Sequence, residues 1–189
     1  MNNIIFFGRE GFEKSLFPEI KDNLKTLTKD TIIRPHTDYV VFEQKEDELK
    51  NIFNNIIKLD QTNIKIKFVV SHPCIAIAVS NNPKNETTFE YFITLKKCID
   101  SMSSLFNAKF EVLKYEDLYE NCTVDYNKYM SIEESKHFNQ KKYLQLIDLC
   151  RYLPKDRNPM NLFEYNEIPL STILKQDEEL SKRKELFEN

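Results

Sequence analysis

Three residues have the types and order that metal-dependent nucleases use. Asp30 precedes Glu43-Gln44-Lys45 by thirteen residues. An acidic residue followed by E-x-K can place two carboxylates on Mg²⁺ beside a lysine. A solvated strand end running into a charged helix start gives the same pattern, so both readings stand here. His36, His72 and His137 have no metal partner three or four residues on and read as surface or structural side chains. Cys74, Cys98, Cys122 and Cys150 stand 24 or more residues apart with no CxxC pair. That argues against zinc and for reduced, buried thiols. There is no GxSxG. With only Gly8 and Gly11 in the chain, no P-loop and no dinucleotide fingerprint is read, and because phosphate cradles need glycine for close backbone approach, most kinase, GTPase and dehydrogenase readings are set aside. No catalytic residue, metal or cofactor is expected.

The whole-chain numbers narrow the classes further. Hydrophobic residues are 41% and charged residues 30% of 189, which suits one compact domain or two small ones and argues against disorder. The scarcity of glycine and the abundance of Asn, Lys and Ile fit AT-rich coding. The net charge is −3 with no basic segment, so strong autonomous DNA binding through phosphates is not expected. The apolar run near the N-terminus has only four residues, Ile4-Ile5-Phe6-Phe7, too short for a signal peptide or a membrane span.

The elements that would position these residues follow from periodicity. Phe12, Leu16, Phe17, Ile20, Leu24 and Leu27 predict a helix over 12–29, with Pro18 a candidate break. A strand is predicted at 39–42. An amphipathic helix over 46–59 would bury Leu49, Ile52, Phe53, Ile56 and Leu59. Residues 64–70 alternate and then turn fully apolar, as a strand does, and 74–80, apolar throughout, are read as a second strand. Lys65 and Lys67 would form an exposed strand face, either touching nucleic acid or protecting an edge. Asn81-Asn82-Pro83 is a predicted turn. A helix is expected over 87–106 and a strand from 108. Beyond residue 118 the chain turns polar, so a boundary is expected there. Ser131 resembles a helix N-cap with Glu133 and Glu134 in its first turn. A helix over 141–153 would end at Pro154, followed by a loop and a strand at 168–175.

The C-terminal third carries more specific features: Leu153-Pro154, a short polar link, Asn158-Pro159, then Phe163 with Tyr165. Upstream stands Met130-Ser131-Ile132-Glu133-Glu134, and Ile173 to Glu179 forms a mixed apolar and charged run. Together these resemble the assembly domain of the fifth subunit of eukaryotic-type DNA-dependent RNA polymerases, a domain with an archaeal counterpart. Arg34-Pro35-His36-Thr37-Asp38-Tyr39-Val40-Val41 resembles that family's first jaw strand. The family's histidine-flanked Leu-Val-Pro motif and the glycines around its aromatic pair are absent, and its Pro-Ser pair is lost near Gln176.

The resemblance implies an α+β protein, with a nuclease-like mixed α/β jaw over 1–118 and a small α/β assembly domain over 119–189. It implies a non-catalytic subunit docking on the largest polymerase subunit through Leu153, Pro154, Asn158, Pro159, Leu162, Phe163 and Tyr165. Phe163 is left open between interface and core. Arg34, Lys65 and Lys67 would lie near downstream duplex DNA, with weak phosphate contacts inside the complex. The implied setting is viral or plasmid transcription in the cytoplasm, or the nucleus, with no membrane. A Mg²⁺-dependent nuclease and a small viral protein binding a host factor are the other classes kept.

Overall fold

The computed structural model describes residues 3–9, 12, 17, 19–43, 45–59, 64–80, 88–106, 110–118 and 128–187. The fold is α+β in content, with a wholly parallel sheet. Among the described residues the sheet has strands β1 (Asn3–Gly8), β2 (Lys25–Thr26), β3 (Tyr39–Phe42), β4 (Ile64–Val70) and β5 (Phe110–Lys114), ordered β2-β3-β1-β4-β5. β1 is central. Ile5 pairs with Tyr39 on one side and with Ile66 on the other. Both its faces are covered, which is why it reads as a continuous apolar run rather than an alternation.

One face carries the main core. Ile5, Phe7, Ile66, Phe68 and Val70 meet α1 (Glu46–Ile57) and α3 (Phe89–Phe106) there. Phe7, Phe53 and Phe68 stack mutually, with centroids 4.6–5.8 Å apart. α1 buries Leu49, Ile52, Phe53 and Ile56 at the predicted spacing, each worth about 1.5–3 kcal/mol of apolar burial. Glu46, Asp47 and Glu48 fill its first turn, where negative charge suits the helix dipole. The other face packs Phe6, Val40 and Val69 against Phe12, Tyr115 and the partly buried Phe17, Ile20 and Leu24.

Four expectations of secondary structure are corrected. Residues 74–80 are not a strand: Pro73–Val79 form helix α2, every residue buried. A helix buried on all sides has no polar face, so its sequence carries no 3.6-residue period. Pro73 at the first helical position was the available signal. The predicted helix over 12–29 does not extend over its second half, where a 3-10 turn at Lys21–Asn23 and strand β2 stand instead; residues 13–16 and 18 lie outside the described residues. The predicted strand at 168–175 is the start of helix α8 (Leu170–Phe187). α4 (Tyr115–Leu118), α5 (Ile132–Ser135), α6 (Gln140–Tyr152) and α7 (Pro159–Leu162) complete the order. The loop expected after Pro154 therefore holds a 3-10 turn and α7. The turn at 81–83 and Cys122 lie outside the described residues.

The core crosses the boundary expected near 118. α2 contributes Ala76 and Ile77 to the main core. It gives Cys74, Ile75, Ala78 and Val79 to a second core with Tyr129, Met130, Tyr143, Ile147 and Ile173. Phe163 is buried in the main core, its ring 6.1 Å from that of Phe92. Of the two roles left open for it, the structure shows core. Phe163→Ala should therefore cost about 3–5 kcal/mol of stability, read as a lowered denaturant midpoint. An unchanged midpoint would contradict the packing.

Candidate functional site

In the strand order β2-β3-β1-β4-β5 the chain leaves β1 toward β2 and leaves β4 toward β5, in opposite directions across the sheet. The carboxyl ends of β1 and β4 thus form a topological switch point, where open parallel sheets bind ligands. The residues just beyond the strand ends are Arg9 after β1, Glu43 after β3, Ser71 and His72 after β4, and Tyr115 and Glu116 after β5. All except Glu43 are buried.

Arg9 is held on one edge of its guanidinium. Nε lies 2.8 Å from Glu134 Oε1, and Nη2 donates to Glu134 Oε2 at 3.1 Å and to the Tyr129 carbonyl at 2.8 Å. Its Cζ sits 4.9 Å from the Tyr115 ring centroid. Burial alone would loosen its proton. The charge of Glu134, helped by Tyr115, Glu43 and Glu116, outweighs that and raises its pKa above the ordinary value. Nη1, on the opposite edge, has no hydrogen-bond partner.

Glu116 accepts the His72 backbone N–H at 2.8 Å. The Tyr165 hydroxyl lies 2.7 Å from Glu116 Oε2 and 2.8 Å from the Val70 carbonyl. The single hydroxyl proton is divided between these two acceptors. Burial pushes the Glu116 pKa up, against the hydrogen bonds from Tyr165 and His72. The His72 ring is fully buried, with Nε2 3.2 Å from the Asn166 carbonyl. Burial lowers its pKa to about 4 despite that hydrogen bond, so the ring is neutral at pH 7 with Nε2–H the donor. Its Nδ1, like the buried Ser71 Oγ, has no partner.

Three buried polar atoms without a partner thus belong to residues that directly follow β1 and β4: a cationic donor on Arg9, a hydroxyl on Ser71 and an imidazole acceptor on His72. Buried polar atoms are normally paired, and unpaired ones mark a ligand, a water or a strained functional site. Arg9 and Ser71 carry donors suited to an anion, and His72 Nδ1 is an acceptor. Among the described residues no group of three His, Cys, Asp or Glu could hold a metal ion. No protein-family model, curated protein or solved structure matches the chain.

The residues singled out from sequence are dispersed. Glu43 and Lys45 stand at the start of α1, while Asp30 adjoins Lys29, whose carbonyl accepts from Asn55 near the end of α1. Ten helical residues span about 15 Å, so the nuclease constellation is not assembled. Most of the docking segment folds inward. Asn158 caps α7 by accepting from Met160 N–H at 3.0 Å, and its Nδ2 donates to the Cys150 carbonyl at 2.7 Å. Pro159 and Phe163 are buried, and Leu162 and Tyr165 pack against the main core. Leu153 is half-buried and Pro154 exposed. Arg34 and Lys65 are exposed at the amino end of the sheet, near Asn3 and Ile4. Lys67 is paired with Glu111 at 3.2 Å. β4 lies inside the sheet, so its lysines guard no edge.

Arg9, Ser71, His72 and Glu116 carry no motif of their own, and Glu134 stood out only as a helix-start residue. The missed signal lies after β1, in Gly8-Arg9-Glu10-Gly11-Phe12-Glu13-Lys14-Ser15. This matches a strand followed by G-x-x-x-x-G-K-[ST] except that Glu13 stands where the second glycine belongs and that the described residues after it form a 3-10 turn and β2 rather than the P-loop's helix. Residues 10, 11 and 13–16 lie outside the described residues. Gly8 is fixed by space: a Cβ there would lie 2.8 Å from the buried Phe12 ring.

The buried His72 makes the fold acid-sensitive. Its folded pKa is depressed to about 4 from 6.5, so the unfolded chain binds the extra proton first as pH falls. Stability should be full above pH 6.5 and drop by about 3 kcal/mol on approaching pH 4. Glu116, shifted upward, acts with the opposite sign and loses stability as pH rises through its folded pKa. Denaturant titrations from pH 7 to 4 should show the drop, and His72→Gln should flatten it. An equal drop in the variant would assign it elsewhere.

Proposed function

We propose that this protein binds a phosphorylated small molecule, a nucleoside polyphosphate, at the carboxyl edge of its sheet. The observation that carries this is Arg9. A guanidinium buried at the end of the central parallel strand, at the switch point, keeps one N–H edge unpartnered. Cationic donors at such a place suit phosphate oxygens. The order Gly8, Gly11, Lys14, Ser15 supports the same ligand: in P-loops the lysine reaches the terminal phosphates and the Ser or Thr hydroxyl holds Mg²⁺. Lys14 and Ser15 enter by sequence position alone. Glu13 adds a carboxylate and a side chain where the motif has glycine, which weakens binding relative to a full P-loop. The reading is one of binding, and no residue is assigned to phosphoryl transfer.

Titrating the full chain with ATP and Mg²⁺ by calorimetry should give saturable binding with Kd on the order of 10⁻⁴ M. Lys14→Ala should weaken it more than tenfold with the melting temperature retained, and Glu13→Gly should strengthen it. Absence of binding at millimolar ATP, or Lys14→Ala binding as tightly as the wild type, overturns the proposal.

The polymerase-subunit reading keeps one observation in its favour. At the end of α6, Tyr152 is 86% and Leu149 47% exposed, beside Leu153 and Pro154, the part of the resembling segment that does not fold inward. A small exposed apolar corner with an aromatic fits a docking contact. On this reading the tagged chain co-purifies with a largest polymerase subunit, and Tyr152→Ala with Leu149→Ala abolishes that without lowering stability. A double variant that still co-purifies removes this corner from docking.

A further inference from the structure

α2 and α6 bring two cysteines 76 residues apart into contact. Cys74 Sγ and Cys150 Sγ lie 3.8 Å apart, and both thiols are free. Their surroundings differ. Cys74 is fully buried on α2. Cys150 forms part of the wall of an open cleft of about 430 Å³, with Leu153, Asn158, Met160 and Asn166. Both side chains are buried, Cys74 completely and Cys150 at 7% exposure, and of the two it is Cys150 that borders the cleft.

We infer that Cys74 and Cys150 form an oxidisable dithiol, in which a hydroperoxide entering the cleft oxidises Cys150 and Cys74 resolves it to an intramolecular disulfide. This does not depend on nucleotide binding. The Cys150 thiolate attacks the distal peroxide oxygen, the O–O bond breaks, and Cys150 becomes a sulfenic acid. With hydrogen peroxide the leaving hydroxide takes up the proton given by the thiol and departs as water. The Cys74 sulfur then attacks the sulfenic sulfur, the S–S bond forms, and a second water leaves with the Cys74 proton. In sum, two thiols and one peroxide give one disulfide and two waters, the two electrons passing from the sulfurs to the peroxide oxygens.

The thiol–thiol contact supports this order of attack. Hydrogen bonding from Cys74 lowers the Cys150 pKa, while the same contact and then burial raise that of Cys74. The thiolate, which is the nucleophile, therefore forms on the cleft side. Forming the bond closes the sulfurs from 3.8 Å to about 2.05 Å. α2 is enclosed on all sides, whereas Leu144 and Leu149 on α6 are exposed, so α6 is the element free to shift. Pro73 opens α2 directly after His72, so oxidation would also bear on the carboxyl edge of the sheet.

The test is thiol mapping of the full reduced chain exposed to a few equivalents of hydrogen peroxide, then alkylated. Two of the four cysteines should become unreactive to alkylation, and digestion without reductant should yield a peptide pair joining Cys74 to Cys150, released by dithiothreitol. In Cys74→Ser, Cys150 should instead be trapped by dimedone as the sulfenic acid. The inference is overturned if all four thiols still alkylate, if the lost thiols are Cys98 or Cys122, or if Cys150 in Cys74→Ser gives no adduct. Should that variant fail to fold, the wild-type peptide map decides alone.

Discussion

The arrangement at the carboxyl edge depends on the burial of one charge. Arg9 leaves β1 and enters a place with little water, and a buried guanidinium persists only where its charge is matched. Glu134, 125 residues away, supplies both carboxylate oxygens. The same carboxylate accepts the Ser131 backbone N–H at 2.8 Å while Ser131 Oγ accepts from Glu134 N–H at 3.1 Å. The start of α5 and the ion pair are thus one structure. Removing either partner of such a buried pair leaves an uncompensated charge, a penalty of about 3–5 kcal/mol, while keeping both contributes far less net. The pair therefore fixes how the C-terminal part meets the sheet more than it adds to stability.

α2 transmits that placement. It has no outward face, so both cores must close on it together, one formed with the sheet and the other with α6 and α8. Residues that a free C-terminal domain would offer to a partner are here spent on this closure. Phe163 fills the main core, Asn158 caps α7, and Tyr165 reaches the Glu116 carboxyl. The site lies beneath that closure, which excludes water from Arg9 and His72 and depresses the imidazole pKa.

Much of the fold was legible in the sequence, for a physical reason. α1, β4, α3 and α6 each have one buried and one solvated side for some of their length, and that contrast is what periodicity records. α2 failed because it is buried all round. The start of α8 failed because Ile168 to Ile173 are apolar enough for either element, and Pro169 before the helix went unweighted. The site was less legible. Arg9, His72 and Glu116 are ordinary residues in sequence, and they become a cluster only when strands β1, β4 and β5 stand side by side. Asp30, Glu43 and Lys45 had the right types in an order that the sheet then pulled apart.

Among the described residues, two other than glycine, His36 and Glu164, adopt φ near +59° and +55°, a region where a Cβ costs about 1–2 kcal/mol. At Glu164 that conformation ends α7 and lets the Tyr165 N–H reach the Met160 carbonyl at 2.8 Å, which aims the tyrosine at the carboxyl edge. Side chains are thus tolerated where the backbone turns left-handed, even though glycine would relieve the strain. Gly8 answers a different demand. Its backbone asks for no unusual angle, and what it supplies is room, a gap one methyl wide that the Phe12 ring occupies. The two kinds of position respond oppositely to exchange: glycine at 164 loosens a strained turn, while alanine at 8 drives a wedge between the first strand and the ring that covers it.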